Sequence, residues 1–203
     1  MPILVPNTSF VSAADSGEGS CLSKYSGQKQ TVKTIAQDAL ALLTSLSIPP
    51  DSVIAVGHSM GGLVVSELAL EAELAGVVLV GPVSANPLAA AAFSKRIETV
   101  QKGQASLADK QPRSQLTEVL GGMESMADTI PTAATGSKST ATHHAFIRAL
   151  LLSQSVEGYI SHCNVIANAT SPEFPRILCP LLTIVGGDDK VAPAEEANKI
   201  ATR

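Results

Sequence analysis

The apolar residues of the chain fall into two periods. From Thr31 to Ser47, the residues Val32, Ile35, Ala36, Ala39, Leu40, Leu43 and Leu46 recur at helical spacing, and Pro49-Pro50 ends the run; this pattern predicts an amphipathic helix. Val53-Ile54-Ala55-Val56 is a short continuous apolar run leading into Gly57-His58-Ser59-Met60-Gly61-Gly62, after which Leu63 to Leu70 resumes a helical pattern. Strand, tight turn and helix are expected there, with a serine at the apex. Gly76-Val77-Val78-Leu79-Val80, closed by Gly81-Pro82, reads as a strand buried on both faces. Pro180-Leu181-Leu182-Thr183-Ile184-Val185 reads as another buried strand, ending in Gly186-Gly187-Asp188-Asp189. Thr8 to Ala14 alternates loosely, as a strand does, and runs into the glycine-rich turn Asp15-Ser16-Gly17-Glu18-Gly19-Ser20.

Residues 85–169 have a different character. They are alanine-rich and helical, without a convincing strand, which is the pattern of a helical cap inserted between two sheet strands. Within them Gly103 to about Leu120 is polar and loop-like, reading either as a surface insertion or as an intron retained in the gene model. Strands alternating with helices imply an α/β fold with a doubly wound, mostly parallel sheet. The expected organisation is a core over 1–84, a cap over 85–169, and a returning core strand with an acidic loop over 170–203, all within one domain.

Composition narrows the function classes. A chain of 203 residues with 45% hydrophobic and 16% charged content has the apolar material for one core and too little charge for a disordered protein. The net charge of -4 carries no basic footprint, so nucleic acid is not an expected partner. Cys21, Cys163 and Cys179 share no C-x-x-C spacing, so neither a zinc site nor a disulfide framework is suggested and a reduced cytoplasm fits best. Met1 to Val5 lacks a cationic flank, and the longest apolar runs fall short of the ~18 residues of a bilayer span, so no membrane partner is expected. The elbow glycines do not follow the G-x-G-x-x-G spacing, and Lys138 in Gly136-Ser137-Lys138-Ser139 does not follow a glycine. Dinucleotide and P-loop readings therefore both fall, and no cofactor is expected.

The chemistry sits in the turn at Ser59. A strand-to-helix turn this sharp strains its apex residue and brings strand and helix too close for side chains, which is the expected reason for Gly57 and Gly61. Ser59 would stand above the sheet as a nucleophile, with the backbone N–H of Met60 at a helix N-terminus facing any oxyanion formed beside it. Asp189 falls at the carboxyl end of another strand, where functional groups gather in such sheets.

On these residues the chain resembles the α/β-hydrolase family. The resemblance runs from Asp15-x-Gly17-x-Gly19-Ser20 through Gly57-His58-Ser59-Met60-Gly61-Gly62 to Gly187-x-Asp189-x-x-x-Pro193. In the cap, Arg96-Ile97-Glu98, Met126-Ala127-Asp128 and Glu157-Gly158-Tyr159-Ile160 with Cys163 are similar to the 3-oxoadipate enol-lactonase branch. The resemblance implies Ser59 as nucleophile, Met60 as an oxyanion donor and Asp189 as the acid that orients a histidine. It further implies hydrolysis of a small ester or lactone through an acyl-enzyme. The family's histidine follows the acid, yet no residue after Asp189 is a histidine, and the family's His-Gly loop ahead of the Asp15 turn has no counterpart. The chain is therefore expected to be a truncated fold, marginally stable, with doubtful activity of its own. His58, His143, His144 and His162 read as packing or helix-end residues, and Arg96 and Arg148 as conceivable partners for a substrate carboxylate. A non-catalytic ligand-binding protein of the same fold is the competing reading.

Overall fold

A threonine-capped helix is the first regular element of the described residues. In the computed structural model, which describes residues 27–108 and 122–201, Thr31 Oγ1 accepts from the N–H of Thr34 at 3.1 Å and Thr34 Oγ1 accepts from that of Thr31 at 2.9 Å. This reciprocal box satisfies two N–H groups that helix geometry leaves unpaired, and it opens α1 (Val32–Ser45). The proposed strand at Thr8–Ala14, the Asp15–Ser20 turn and Cys21 lie outside the described residues.

From α1 the chain passes through a 3-10 turn at Pro50–Ser52 into β1 (Ile54–His58), then α2 (Met60–Glu71) and β2 (Gly76–Val80). Four helices follow: α3 (Pro87–Ala108), α4 (Met123–Ala133), α5 (Ala141–Leu152) and α6 (Val156–Ala167). The chain then returns to the sheet as β3 (Leu181–Ile184) and ends the described region in α7 (Ala194–Ala201). The three strands are parallel in the order β1-β2-β3, with Val56 opposite Val78 and Val78 opposite Leu182. This is the expected α/β architecture, a parallel sheet with a helical insertion. The polar stretch from Gly103 differs from expectation at its start, because α3 continues to Ala108. Gln104, Ala105 and Leu107 are good helix formers, and one glycine costs a helix only about 1 kcal/mol; the rest of that stretch lies outside the described residues.

Two apolar clusters hold these elements. One packs Ile35 and Ala36 of α1, Val64, Val65 and Leu68 of α2, and Ala55, Val77 and Leu79 of the strands, with Leu181 and Ile200 at its margin. Helices α1, α2 and α7 thus cover the same face of the sheet. The second cluster belongs to the inserted helices: Phe93 and Val100 of α3, Met123, Met126 and Ala127 of α4, Leu151 of α5, and Tyr159, Cys163 and Ile166 of α6. Leu63 from the first turn of α2 and Val83 after β2 project into it, so the cap is seated on the residues that flank the turn at Ser59.

The opposite face of the sheet has no helical cover among the described residues. Along β1 burial alternates, with Ala55 and Gly57 inside and Ile54, Val56 and His58 outside. Strand β3, expected to be buried, instead exposes Leu182 and Ile184. The apolar run is continuous in the sequence because a parallel sheet is apolar on both faces; only one of those faces has a helical cover among the described residues.

Candidate active site

The turn at Ser59 has the strain that its sharpness requires. Ser59 adopts φ 53° and ψ -118° as N-cap of α2, and its side chain bonds no N–H of that helix. Conformations of this kind cost about 1–3 kcal/mol in a residue with a side chain, and the hydroxyl is left free rather than used for capping. The backbone of Ser59 is fixed from both sides: its N–H donates to the Val80 carbonyl at 3.0 Å, and its carbonyl accepts from Gly62 at 2.9 Å and Val83 at 3.3 Å. Met60 opens α2 directly after it, so its N–H is among the helix donors without an intrahelical partner.

The glycines around the turn divide differently from the expectation. A Cβ on Gly57 would lie 2.1 Å from the Gly61 carbonyl oxygen, so glycine is required there. A Cβ on Gly61 would meet nothing within 4 Å, which corrects the steric reason given for that glycine. The close approach on the helix side belongs to Gly62, whose Cβ would come within 2.8 Å of Pro82 Cβ. The sequence carried a signal for this in the Gly61-Gly62 doublet, which the five-residue elbow pattern leaves unread.

Asp189 lies in the loop after β3, with β2 between its strand and the one that leads to Ser59. Its Oδ1 accepts from the N–H groups of Val191 and Ala192, both at 2.8 Å, which shapes the loop and opens the path to α7. Its Oδ2 reaches Gly81 after β2, 3.2 Å from where a Cβ on Gly81 would sit. Gly81 has φ 48° and its N–H donates to the Ile184 carbonyl at 2.8 Å. A side chain at Gly81 would be strained and would crowd the acid, a role the Gly81-Pro82 pair did not disclose in sequence. Ser59, through its bond to Val80, and Asp189, through Gly81, are thus both placed at the carboxyl end of β2.

Asp188 does something the sequence reasoning missed. Its Oδ2 accepts from the Ser137 hydroxyl at 2.6 Å and from the Ser137 N–H at 2.9 Å, joining the loop after β3 to the loop between α4 and α5. The Ser137 hydroxyl, then its N–H and the nearby Lys190, hold the Asp188 carboxyl below its usual range. Because the folded-state value is lowered, this contribution is present above the unfolded carboxylate value and is lost as pH falls through the folded one. Acidification is therefore expected to loosen the Gly136–Ser139 loop only once pH falls below the unfolded carboxylate value, read as faster amide exchange there relative to the intrinsic rate at each pH. Asp188→Asn should show the fast exchange already at neutral pH and little further change on acidification.

Between these two loops lies a cleft of about 830 Å³, lined by Ser137, Lys138, His143, Phe146, Asp188 and Asp189 among others. A smaller cavity of about 220 Å³ lies between α7, Pro82 and Phe174. Ser59 lines neither of them.

The described histidines have other surroundings or partners than the Ser59 and Asp189 side chains. His58 is exposed on the face of β1 that has no described helical cover. His143 Nδ1 accepts from the Thr140 N–H at 3.0 Å in a second reciprocal cap, and His144 Nε2 bonds the hydroxyls of Thr135 at 3.0 Å and Ser139 at 2.9 Å. His162 is half-buried on α6. Among the described residues, no histidine shares a hydrogen bond with the side chain of Ser59 or Asp189. The two arginines are occupied differently. Arg148 pairs with Asp128 at 3.0 Å across α5 and α4, and Arg96 lies 4.5 Å over the Phe93 ring. Arg96 also lies near Tyr159 and Cys163 in the cap core, where burial raises the Tyr159 hydroxyl well above its usual range and pushes the Cys163 thiol up to about 11. A thiol so buried stays protonated and is inert as a nucleophile. No group of acidic, histidine and cysteine residues suited to a metal occurs among the described residues, and no described helix is long and apolar enough to cross a membrane.

The description "Alpha/beta hydrolase family" belongs to a family model that matches residues 23–203, most of the chain. The chain belongs to the alpha/beta hydrolase family. Among solved structures, the enol-lactonase from Burkholderia xenovorans LB400 is 25% identical with a TM-score of 0.71, over 92% of this chain and 65% of that one. The esterase from Exiguobacterium antarcticum has the same TM-score at 17% identity, over 91% of this chain and 65% of its own. A hydrolase from Pseudomonas aeruginosa PA01 is 22% identical with a TM-score of 0.69, over 92% and 64%. The chain thus spans just under two thirds of the length of these hydrolases, all of which share its fold. No curated protein matches it significantly.

Proposed function

We propose that Ser59 is the nucleophile of a hydrolase for small esters or lactones, working through an acyl-enzyme. The observation that carries this reading is the strained Ser59 backbone, φ 53° and ψ -118°, at the N-terminus of α2 with its hydroxyl unused. A protein that only needed a turn would place glycine there, since a side chain at this backbone conformation is a standing cost. In the proposed reaction Ser59 Oγ attacks the carbonyl carbon and the Met60 N–H donates to the developing oxyanion. The leaving alcohol or enol departs, and water then releases the acid. The serine proton needs a general base, which Asp189 would orient through its Oδ2, an atom not used in shaping its own loop; no described histidine bonds to Asp189, so this step awaits a base that the described residues do not identify. The likeness to the enol-lactonase of Burkholderia xenovorans, in both sequence and fold, favours a lactone or compact ester as substrate.

A second reading rests on the lack of a hydrogen bond from any described histidine to the side chain of Ser59 or Asp189. It takes the chain as a ligand-binding relative with residual or no turnover. A panel of aryl esters and small lactones tests the two. Turnover above the buffer rate, with saturation in substrate, is the expected result for a hydrolase; saturable binding with hydrolysis at the buffer rate would overturn it in favour of the binding protein.

A further inference from the structure

Two adjacent carboxylates in the loop after β3 hold different parts of the molecule. Asp189 Oδ1 accepts from the Val191 and Ala192 N–H groups, both at 2.8 Å, and its Oδ2 faces Gly81 at the end of β2. Asp188 reaches the cap: its Oδ2 accepts from the Ser137 hydroxyl at 2.6 Å and from the Ser137 N–H at 2.9 Å. A hydroxyl-to-carboxylate bond this short is charge-assisted, about twice as strong as one between neutral groups. Gly136 lets the loop between α4 and α5 come down onto that carboxylate, since a Cβ there would stand 3.1 Å from Asp188 Oδ2 and 3.2 Å from Asp188 Cβ. Besides its two chain connections and its apolar seat on Leu63 and Val83, the cap is thus attached by a polar contact to the residue beside the acid.

We propose that Asp188 is a positioning residue that couples the cap to Asp189, and that its bonds to Ser137 keep the Asp189 carboxyl turned to the end of β2. This rests on the reading of Asp189 as the acid of a hydrolase. One peptide unit joins the two residues, so a movement of Asp188 passes directly to Asp189. The loop around them leaves little slack: the Asp189 N–H donates back to the Gly186 carbonyl at 3.2 Å, while Oδ1 ties it forward to Val191 and Ala192. Residues 186–192 therefore form one hydrogen-bonded unit, and the cap grips that unit through Asp188. A misplacement of about 1 Å in a catalytic group can cost on the order of 10²-fold in rate. Lifting the cap loop from Asp188 would withdraw support from the acid, so Asp189 is in place only while the cap is seated.

Hydrogen–deuterium exchange of the full 203-residue chain at neutral pH, read at the Val191 and Ala192 amides, tests the coupling without any need for turnover. Neither amide adjoins residue 188, so substitutions there leave their intrinsic rates unchanged. Asp188→Ala is expected to speed both by about tenfold, and Ser137→Ala, which keeps the N–H bond, by about threefold. Ser137→Thr keeps both donors and should match the parent. Asp128→Ala, which removes an ion pair with Arg148 inside the cap, should also leave the two amides as they are. Unchanged exchange in Asp188→Ala would confine the bond to the cap loop, and equal acceleration in Asp128→Ala would mean that any loosening of the cap suffices; either result overturns the proposal. So would parent amides that already exchange at the intrinsic rate. Fluorophosphonate labelling separates this from the hydrolase reading. In a parent that labels at Ser59, Asp188→Ala should slow labelling by about tenfold or more, and an unchanged rate would overturn the positioning role; a parent that does not label counts against the hydrolase reading, while exchange still decides whether cap and acid loop are coupled.

Discussion

Ser59→Ala is expected to eliminate covalent labelling by a fluorophosphonate probe and to bring any ester turnover down to the buffer rate, a loss on the order of 10³-fold or more where a base is in place. The probe reacts with an activated serine and needs no turnover, so it reports on Ser59 even when deacylation is slow. The substitution should leave the fold untouched. The Ser59 hydroxyl caps nothing, and its backbone is held by bonds to Val80, Gly62 and Val83 that alanine keeps, so stability should stay within about 0.5 kcal/mol. Ser59→Gly should also abolish labelling while raising stability by about 1 kcal/mol, because glycine relieves the strain at φ 53°. Labelling that persists in Ser59→Ala would place the nucleophile elsewhere, and a stability gain in Ser59→Ala would remove the argument that the strain is kept for function.

What could be read in advance was local in sequence. The strand, turn and helix around Ser59 are specified within twenty residues, because β-branched residues, glycines and a helical apolar pattern follow one another without a long-range partner being needed. The helix over Val32–Ser45 and the helical character of the cap were legible for the same reason. Long-range features were not. Asp188 and Asp189 are adjacent and chemically identical, and only the fold separates them: one bonds Ser137, which lies 51 residues earlier, while the other faces Gly81. Nor could an apolar run such as Leu181–Ile184 reveal that one of its faces would lack a cover, since hydropathy records what a strand is suited to and not what packs on it. The candidate site was legible as residue types and only partly as an arrangement: the pattern marks Ser59 and Asp189 in advance, but their common approach to the end of β2 depends on the order of the sheet.

The glycines of the turn supply the sharpest structural test, because the pattern treats them alike and the geometry does not. Gly57→Ala would force a methyl group to 2.1 Å from the Gly61 oxygen and 2.7 Å from the Gly62 nitrogen. Those atoms are backbone of the first turn of α2 and cannot swing aside as a side chain can, so β1 and α2 must separate. The cost should be at the upper end of overpacking, about 3 kcal/mol or more. Gly62→Ala drives a methyl to 2.8 Å from Pro82 Cβ; Pro82 lies in a loop that can shift, so a smaller loss of about 1–2 kcal/mol is expected. Gly61→Ala enters open space within α2, where alanine is favoured over glycine by about 0.5–1 kcal/mol, and should be neutral or stabilising. Denaturant unfolding of the three variants against the parent gives the ranking directly. Equal losses at Gly57 and Gly61 would mean that helix and strand meet more closely than described, and that both glycines of the pattern are steric after all; a large loss at Gly57 alone would place the whole requirement on the strand side, where the acid-facing Gly81 also lies.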